Sequence, residues 1–355
     1  MPLEIKNKAD YERVKNQQEA ALNTLHAKGQ AERWPSNKLL DALATTALPY
    51  MLALNDPANP VARQETNKIA IASLSQQGSF TALPQGQHKG IQEIVTQHTN
   101  ALNEKYGKNY PVPTVLTGNF KISLAGYMMT GDVLVIDNET LTTKANDKSF
   151  WKGLLGHELG HRYLRGEDRV LPLIKSNFAR ALNLPLDAQT LSEVRKTEAI
   201  ADFTAAQISK PSDVKQLITE VSRLDQTAMG QFLLETFKNA KIVLPDISEA
   251  RTLYDTLPPQ SKKLLNHNFS ALPKREQDAL TNRALEAEQD QEKYATHPSL
   301  LNRSKLQETL SANPQILACK DVRLDGSANI ISAQDCGPNK VTSPTPTKRT
   351  EMIRK

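Results

Sequence analysis

Residues 149–168 read SFWKGLLGHELGHRYLRGED, and His157-Glu158-Leu159-Gly160-His161 constrains the chain more than any other segment. Residues four apart on an α-helix share a face, so both imidazoles can reach one metal ion. Glu158 lies about a third of a turn round, too far to ligate but able to hold a metal-bound water. Two imidazoles and one carboxylate suit zinc and leave its fourth position open. Leu154, Leu155 and Gly156 mark the segment as a buried helix rather than a solvated one.

A third ligand must come from elsewhere. A turn back directly after the helix would need Gly at 164 and His or Asp at 167, where the chain has Leu164 and Glu167; Gly166 is out of register. Glu167 or Asp168 would ligate only if the helix ended early and turned without its glycine. The segment TEAIADFTAAQI (197–208) is the stronger source. It reads as a helix, with Glu198 and Asp202 four apart on a face that also carries Val194 and Ala205. Buried carboxylates need partners or a metal. Glu198 is therefore the expected third ligand, and Asp202 the acceptor for the other ring nitrogen of a ligating histidine. Ala199, Ala201, Ala205 and Ala206 would let two helices approach closely.

A further element is ATHPSLLNRSKL (295–306), where His297 and Arg303 provide a donor and a fixed cation six residues apart. Either could polarise a carbonyl or hold an oxyanion. His26, His88, His98 and His267 belong to no constellation and read as surface or capping residues.

With 355 residues, 39% hydrophobic and 23% charged, the chain has enough apolar material for a soluble globular core. No stretch approaches the roughly 18–20 apolar residues of a membrane span. The N-terminus MPLEIKNKADYERVKNQQ lacks the apolar region of a cleaved signal. The expectation is a cytoplasmic protein, or one exported without a cleaved signal peptide. Of the net charge of +5, the segment 337–355 carries five Lys/Arg against one Glu, which leaves the body near neutral. Nothing in that body resembles a phosphate-tracking stripe, so nucleic acid is not an expected partner. The Pro/Ser/Thr-rich tail itself reads as disordered.

Helices are expected over 8–33, 36–54, 60–76 and 90–106, with 75–90 as a linker. Val112–Leu116 and Gly131–Ile136 read as strands. From Lys148 to Leu310 the pattern is almost entirely helical, broken at Pro185, Pro211, Pro245 and Pro258–Pro259. Cys319 and Cys336 flank a possible hairpin turning at Asp325–Gly326. In a cytoplasmic protein they would be free thiols, and in an oxidising compartment they could pair.

HELGH (157–161), EAIAD (198–202) and HPSLLNR (297–303) resemble, in order and kind, the three motifs of metallopeptidase family 48. These are the gluzincins that include HtpX-like, Oma-type and CAAX prenyl proteases. The resemblance covers roughly 88–310 and extends to AGYMMTGDVLVID (125–137), similar to the strand that precedes the zinc helix and binds peptides by β-addition. It implies zinc on His157, His161 and Glu198, with Glu158 as general base. It also makes Asp202 the partner of a zinc histidine and puts His297 and Arg303 at the scissile region. Leu124–Ala125–Gly126 stands where many members carry an Asn-Ala pair.

The expected fold is α+β and mostly helical: a zincin-like metallopeptidase domain (86–312) with a small β-sheet and a helical N-terminal extension (1–85). A C-terminal hairpin (313–336) and the basic tail (337–355) follow. The expected function is zinc-dependent endopeptidase action on protein or peptide substrates. The alternative is a catalytically silent, zinc-stabilised protein-binding or chaperone-like protein of the same fold.

Overall fold

A computed structural model describes residues 3–77, 80–83, 88–119, 124–128, 131–163, 167–221, 297–334 and 336. The chain is mostly helical with a small mixed sheet. Three N-terminal helices, α1 (Lys8–Ala31), α2 (Ser36–Leu54) and α3 (Pro60–Gln77), lead through the two-residue strand β1 (Thr81–Ala82) into α4 (Lys89–Tyr106). Strands β2 (Thr114–Gly118), β3 (Ala125–Met128) and β4 (Val133–Asp137) follow, then the short α5 (Asn138–Thr143). Helices α6 (Lys148–Tyr163), α7 (Glu167–Leu182) and α8 (Ala188–Ile208) come next, and residues 211–221 form α9. After the described gap, α10 (Leu300–Ala312) leads through a 3-10 turn (Pro314–Ala318) to the hairpin β5 (Asp321–Leu324) and β6 (Ile330–Gln334).

The sheet order is β1-β2-β4-β3. β2 and β4 pair in parallel, while β1 and β3 pair antiparallel to their neighbours. Every residue of β4 is buried because both faces of the strand are covered. Leu134 and Ile136 pack with Ile94, Val95 and Leu102 of α4 and Leu155 and Leu159 of α6. Val133 and Val135 face the other way and meet Leu116 with Ala70 and Leu74 of α3. This explains the unbroken apolar run VLVI. It also makes α3 one layer of the sheet's packing. Helix α2 meets α7 through Ala44, Ala47, Leu48, Val170 and Ile174.

The sequence expectation of a strand over 112–116 moves to 114–118. Pro113 lacks an N–H, so pairing begins at Thr114, whose N–H donates to Asp132 O at 2.9 Å. The linker 75–90 is shorter than expected: α3 runs to Gln77, and β1 adds a pairing to β2. The break expected at Pro211 is present: α8 ends at Ile208 and Pro211 opens α9, the first helical position being one where a missing N–H costs nothing. The breaks expected at Pro245 and Pro258–Pro259, the basic tail and His267 lie outside the described residues. Glu167 and Asp168 stand at the start of α7, and their side chains are likewise not described.

Two further expectations change. Cys319 and Cys336 are joined in a disulfide, not free. The 3-10 turn brings Cys319 into a buried cluster with Phe203, Leu310 and Val322, and the returning β6 delivers Cys336 to its edge. His98 is buried rather than at the surface. Its Nε2–H donates to Lys152 O at 3.1 Å, joining α4 to α6. Among the described residues, no helix is long and apolar enough to cross a membrane.

Candidate metal centre

Helices α6 and α8 pack against each other, and their sequences permit a very close approach. A Cβ built on Gly160 would lie 3.0 Å from Ala201 O and 3.1 Å from Ala201 Cα. One on Gly156 would lie 3.1 Å from the Ala205 Cβ. Glycine on one helix therefore meets alanine on the other, so the glycines of GLLGHELGH do as much as the alanines of α8 to close the gap. Asp187 caps α8, its Oδ1 accepting from Thr190 N at 2.6 Å.

This closeness brings His157, His161 and Glu198 together, with one ligand atom from each lying within 4.8 Å of the others. Glu198 Oε2 stands 3.4 Å from His157 Nε2, 3.4 Å from His161 Nε2 and 3.3 Å from His297 Nε2. The two α6 imidazoles face each other Nε2 to Nε2 at 3.2 Å. Glu198 Oε2 is buried and makes no hydrogen bond. A buried carboxylate oxygen without a donor and two converging ring nitrogens form a donor set that fits a cation. These three residues could hold a metal ion.

The tautomer of His157 is set from behind. Its Nδ1–H donates to Asp202 Oδ1 at 2.8 Å, which leaves the Nε2 lone pair aimed at the ligand cluster. Asp202 is fully buried and also receives a two-pronged contact from Arg303, Nε to Oδ2 at 2.7 Å and Nη2 to Oδ1 at 2.8 Å. Burial pushes the Asp202 carboxyl up, but Arg303 and His157 outweigh it and hold its pKa well below the usual range. Burial likewise opposes the Arg303 charge, and Asp202 outweighs it. For His157 burial works against protonation, yet the neighbouring carboxylates Asp202 and Glu198 outweigh it and raise its pKa to about 10 in the metal-free protein. A proton then occupies a position whose surroundings favour a cation.

Arg303 thus engages Asp202 with both Nε and Nη2. The sequence expectation put it at the scissile region. Its buried pairing with Asp202 instead makes it the outer end of an Arg303–Asp202–His157 chain. His297 precedes α10, whose N-cap Ser299 accepts from Asn302 N at 3.3 Å. Pro298 and this cap start the helix, which places Arg303 one turn in while His297 stays outside it. The His297 side chain keeps 57% of its surface exposed. Glu198 pulls the His297 pKa up, but partial loss of water around the ring and the charges of Arg303, His157 and His161 prevail and lower it.

Glu158 points from α6 toward the edge strand β3, where its Oε2 accepts from Tyr127 N at 2.8 Å. In the register of β3 on β4, Tyr127 lies opposite Leu134. Its N–H is turned outward, toward the side of the strand that β4 does not cover. Sequence reasoning identified this segment only through its resemblance. The Tyr127–Glu158 contact joins residues 31 apart, and no spacing rule announces it.

Comparisons with protein-family models, with curated proteins and with solved structures each give no match for this chain.

Proposed function

We propose that this chain is a zinc-dependent endopeptidase with a zincin-like fold, akin to metallopeptidase family 48. The observation that carries the proposal is the convergence of His157, His161 and Glu198 beside a carboxylate, Glu158, that already touches an edge strand. A metal-binding scaffold has no need of an acid or base at that position.

His157, His161 and Glu198 would hold the ion. Zinc would supply Lewis acidity and a lowered pKa for the attacking water. Glu158 accepts a proton from that water and returns it to the leaving amine. The substrate lies extended along β3, held by main-chain hydrogen bonds. For a substrate to occupy the Tyr127 N–H, Glu158 must release it, so substrate binding frees the base as it seats the strand. His297 is the exposed group next to the ligands and is placed to donate to a developing oxyanion. Arg303 acts on the ligand His157 through Asp202. The Cys319–Cys336 bond fits an oxidising compartment better than a reducing one, which favours the exported alternative.

Metal content and casein cleavage of the wild type and of Glu158→Gln test the proposal. The expected result is one zinc in each and cleavage by the wild type alone. Equal cleavage by Glu158→Gln would remove Glu158 from the mechanism. Zinc in both without cleavage would point to a silent binding protein, and no zinc in either would remove the site.

A further inference from the structure

Asp132 lies just before β4, is 3% exposed, and receives hydrogen bonds from four separate elements. Arg63 of α3 donates from Nε to Oδ2 at 2.8 Å. Arg162 of α6 donates from Nη2 to the same oxygen at 2.6 Å. The Tyr127 hydroxyl of β3 donates to Oδ1 at 3.1 Å. The backbone of Asp132 is held as well: its N–H donates to Asn67 Oδ1 of α3 at 2.7 Å, and its carbonyl accepts from Thr114 of β2. Two more carbonyls of the segment before β2 are covered by the same arginines, Val112 O by Arg63 at 2.7 Å and Pro111 O by Arg162 at 2.5 Å. At Gly131, with φ at +123°, an added Cβ would lie 2.9 Å from the Ala70 Cβ.

Two of these partners lead straight to the candidate site. Arg162 follows His161 in the chain. Tyr127 gives its hydroxyl to Asp132 and its backbone N–H to Glu158. One carboxylate therefore ties the N-terminal helices, the ligand-bearing helix and the edge strand into a single joint. Hydrogen bonds to an ionised acceptor are about twice as strong as neutral ones, and burial strengthens them further.

We propose that Asp132 is the junction through which Arg63 of the N-terminal helices sets the position of β3 against Glu158, so that residues 3–77 are a working part of the site and not a removable cover. Asp132, Tyr127 and Arg63 are positioning residues for the reaction. The catalytic consequence rests on the proposed peptidase function; the mechanical coupling does not.

The test is a double-mutant cycle on the full chain with Tyr127→Phe, Arg63→Met and both together. Two readouts are hydrogen exchange of the 125–128 amides in the zinc-loaded protein and steady-state cleavage of a fluorogenic peptide. Tyr127→Phe removes one hydroxyl and leaves the ring, so folding and zinc content should hold. Each single variant is expected to speed exchange over 125–128 by about tenfold, on the scale of one lost charge-assisted hydrogen bond. Exchange in α6 should be unchanged. The double variant should add little to either single one. Each single variant should lower kcat more than it raises KM, because a displaced strand presents the scissile bond off the base. Arg63→Lys should restore part of both. Additive effects in the cycle, or an Arg63→Met protein whose 125–128 exchange matches the wild type, would overturn the junction. If the wild type cleaves nothing while the exchange cycle is non-additive, the peptidase reading fails and the coupling stands.

Discussion

Asp202→Asn separates two roles of one buried carboxylate. In the wild type Asp202 accepts from His157 Nδ1–H and from two nitrogens of Arg303, and none of it is exposed. Asn has one acceptor oxygen and one donor nitrogen. The Oδ1 position accepts from both His157 Nδ1–H and Arg303 Nη2, so the amide oxygen stays there and the NH2 meets Arg303 Nε–H. Two donors cannot face each other, so Arg303 loses that prong of its contact, and His157 is left with a neutral acceptor where it had a charged one. Removing one partner of a buried ion pair costs about 3–5 kcal/mol, a large share of the roughly 5–15 kcal/mol that holds a domain. Losing the partner of a ligating histidine costs about 10–100-fold in metal affinity. The control is Arg303→Met, which also breaks the pair but leaves Asp202 on His157. Urea unfolding of the metal-free proteins should show both single variants destabilised by about 3–5 kcal/mol. The double variant should regain much of that, because no buried charge is left alone. Competition with a chromophoric zinc chelator should rank affinity as wild type and Arg303→Met first, the double variant next and Asp202→Asn last. In the double variant no guanidinium opposes the amide NH2, and the oxygen stays on Nδ1 without strain. If Asp202→Asn bound zinc as tightly as the wild type, the account of His157 would be wrong.

Gly160→Ala should lose metal affinity despite improving helix propensity by about 1 kcal/mol. The new Cβ meets the α8 backbone at 3.0 Å, forcing apart the helices that hold His161 and Glu198 at an overpacking cost of about 1–3 kcal/mol. Gly90→Ala in α4, where the Cβ would meet nothing within 4 Å, should be neutral or stabilising and leave zinc binding unchanged; equal zinc affinity in the two variants would refute the close-approach argument. His98 has its pKa lowered from 6.5, chiefly by burial, so the unfolded chain binds this proton at higher pH than the folded one does. Its contribution to stability is therefore complete above about pH 6.5 and is lost as pH falls toward the folded value. The urea midpoint of the metal-free protein should fall across that acidic range more steeply than in His98→Gln, whose amide can still donate to Lys152 O; parallel pH curves would remove His98 as the cause.

The two residue pairs that build the candidate site were legible because they are local. His157 and His161 are one helical turn apart, as are Glu198 and Asp202, and helical geometry turns that spacing into direction before any tertiary contact is considered. The small residues of α8 likewise indicated that some helix comes close, and β4 could be read from its run of branched apolar residues. The candidate metal centre as a meeting of two helices was within reach of this reasoning. Pairing of Cys319 with Cys336 was not, because a spacing of 17 residues permits a hairpin disulfide and free thiols alike.

Other features depend on residues that no local rule connects. Arg303 and Asp202 are 101 positions apart, and Arg63 and Asp132 are 69 apart. Each of these arginines could have faced solvent as well as a buried carboxylate, since charge and spacing are the same in both cases. His98 shows the same limit: its helix has an apolar face, but only the packing of α4 on α6 sets how far round that face extends. Sequence alone determined which side chains could act as ligands, because ligand chemistry and helical periodicity are local properties. Tertiary structure decided which charges stand behind those ligands and which strand lies before them, because burial makes each polar group take its partner from whatever element packs against it.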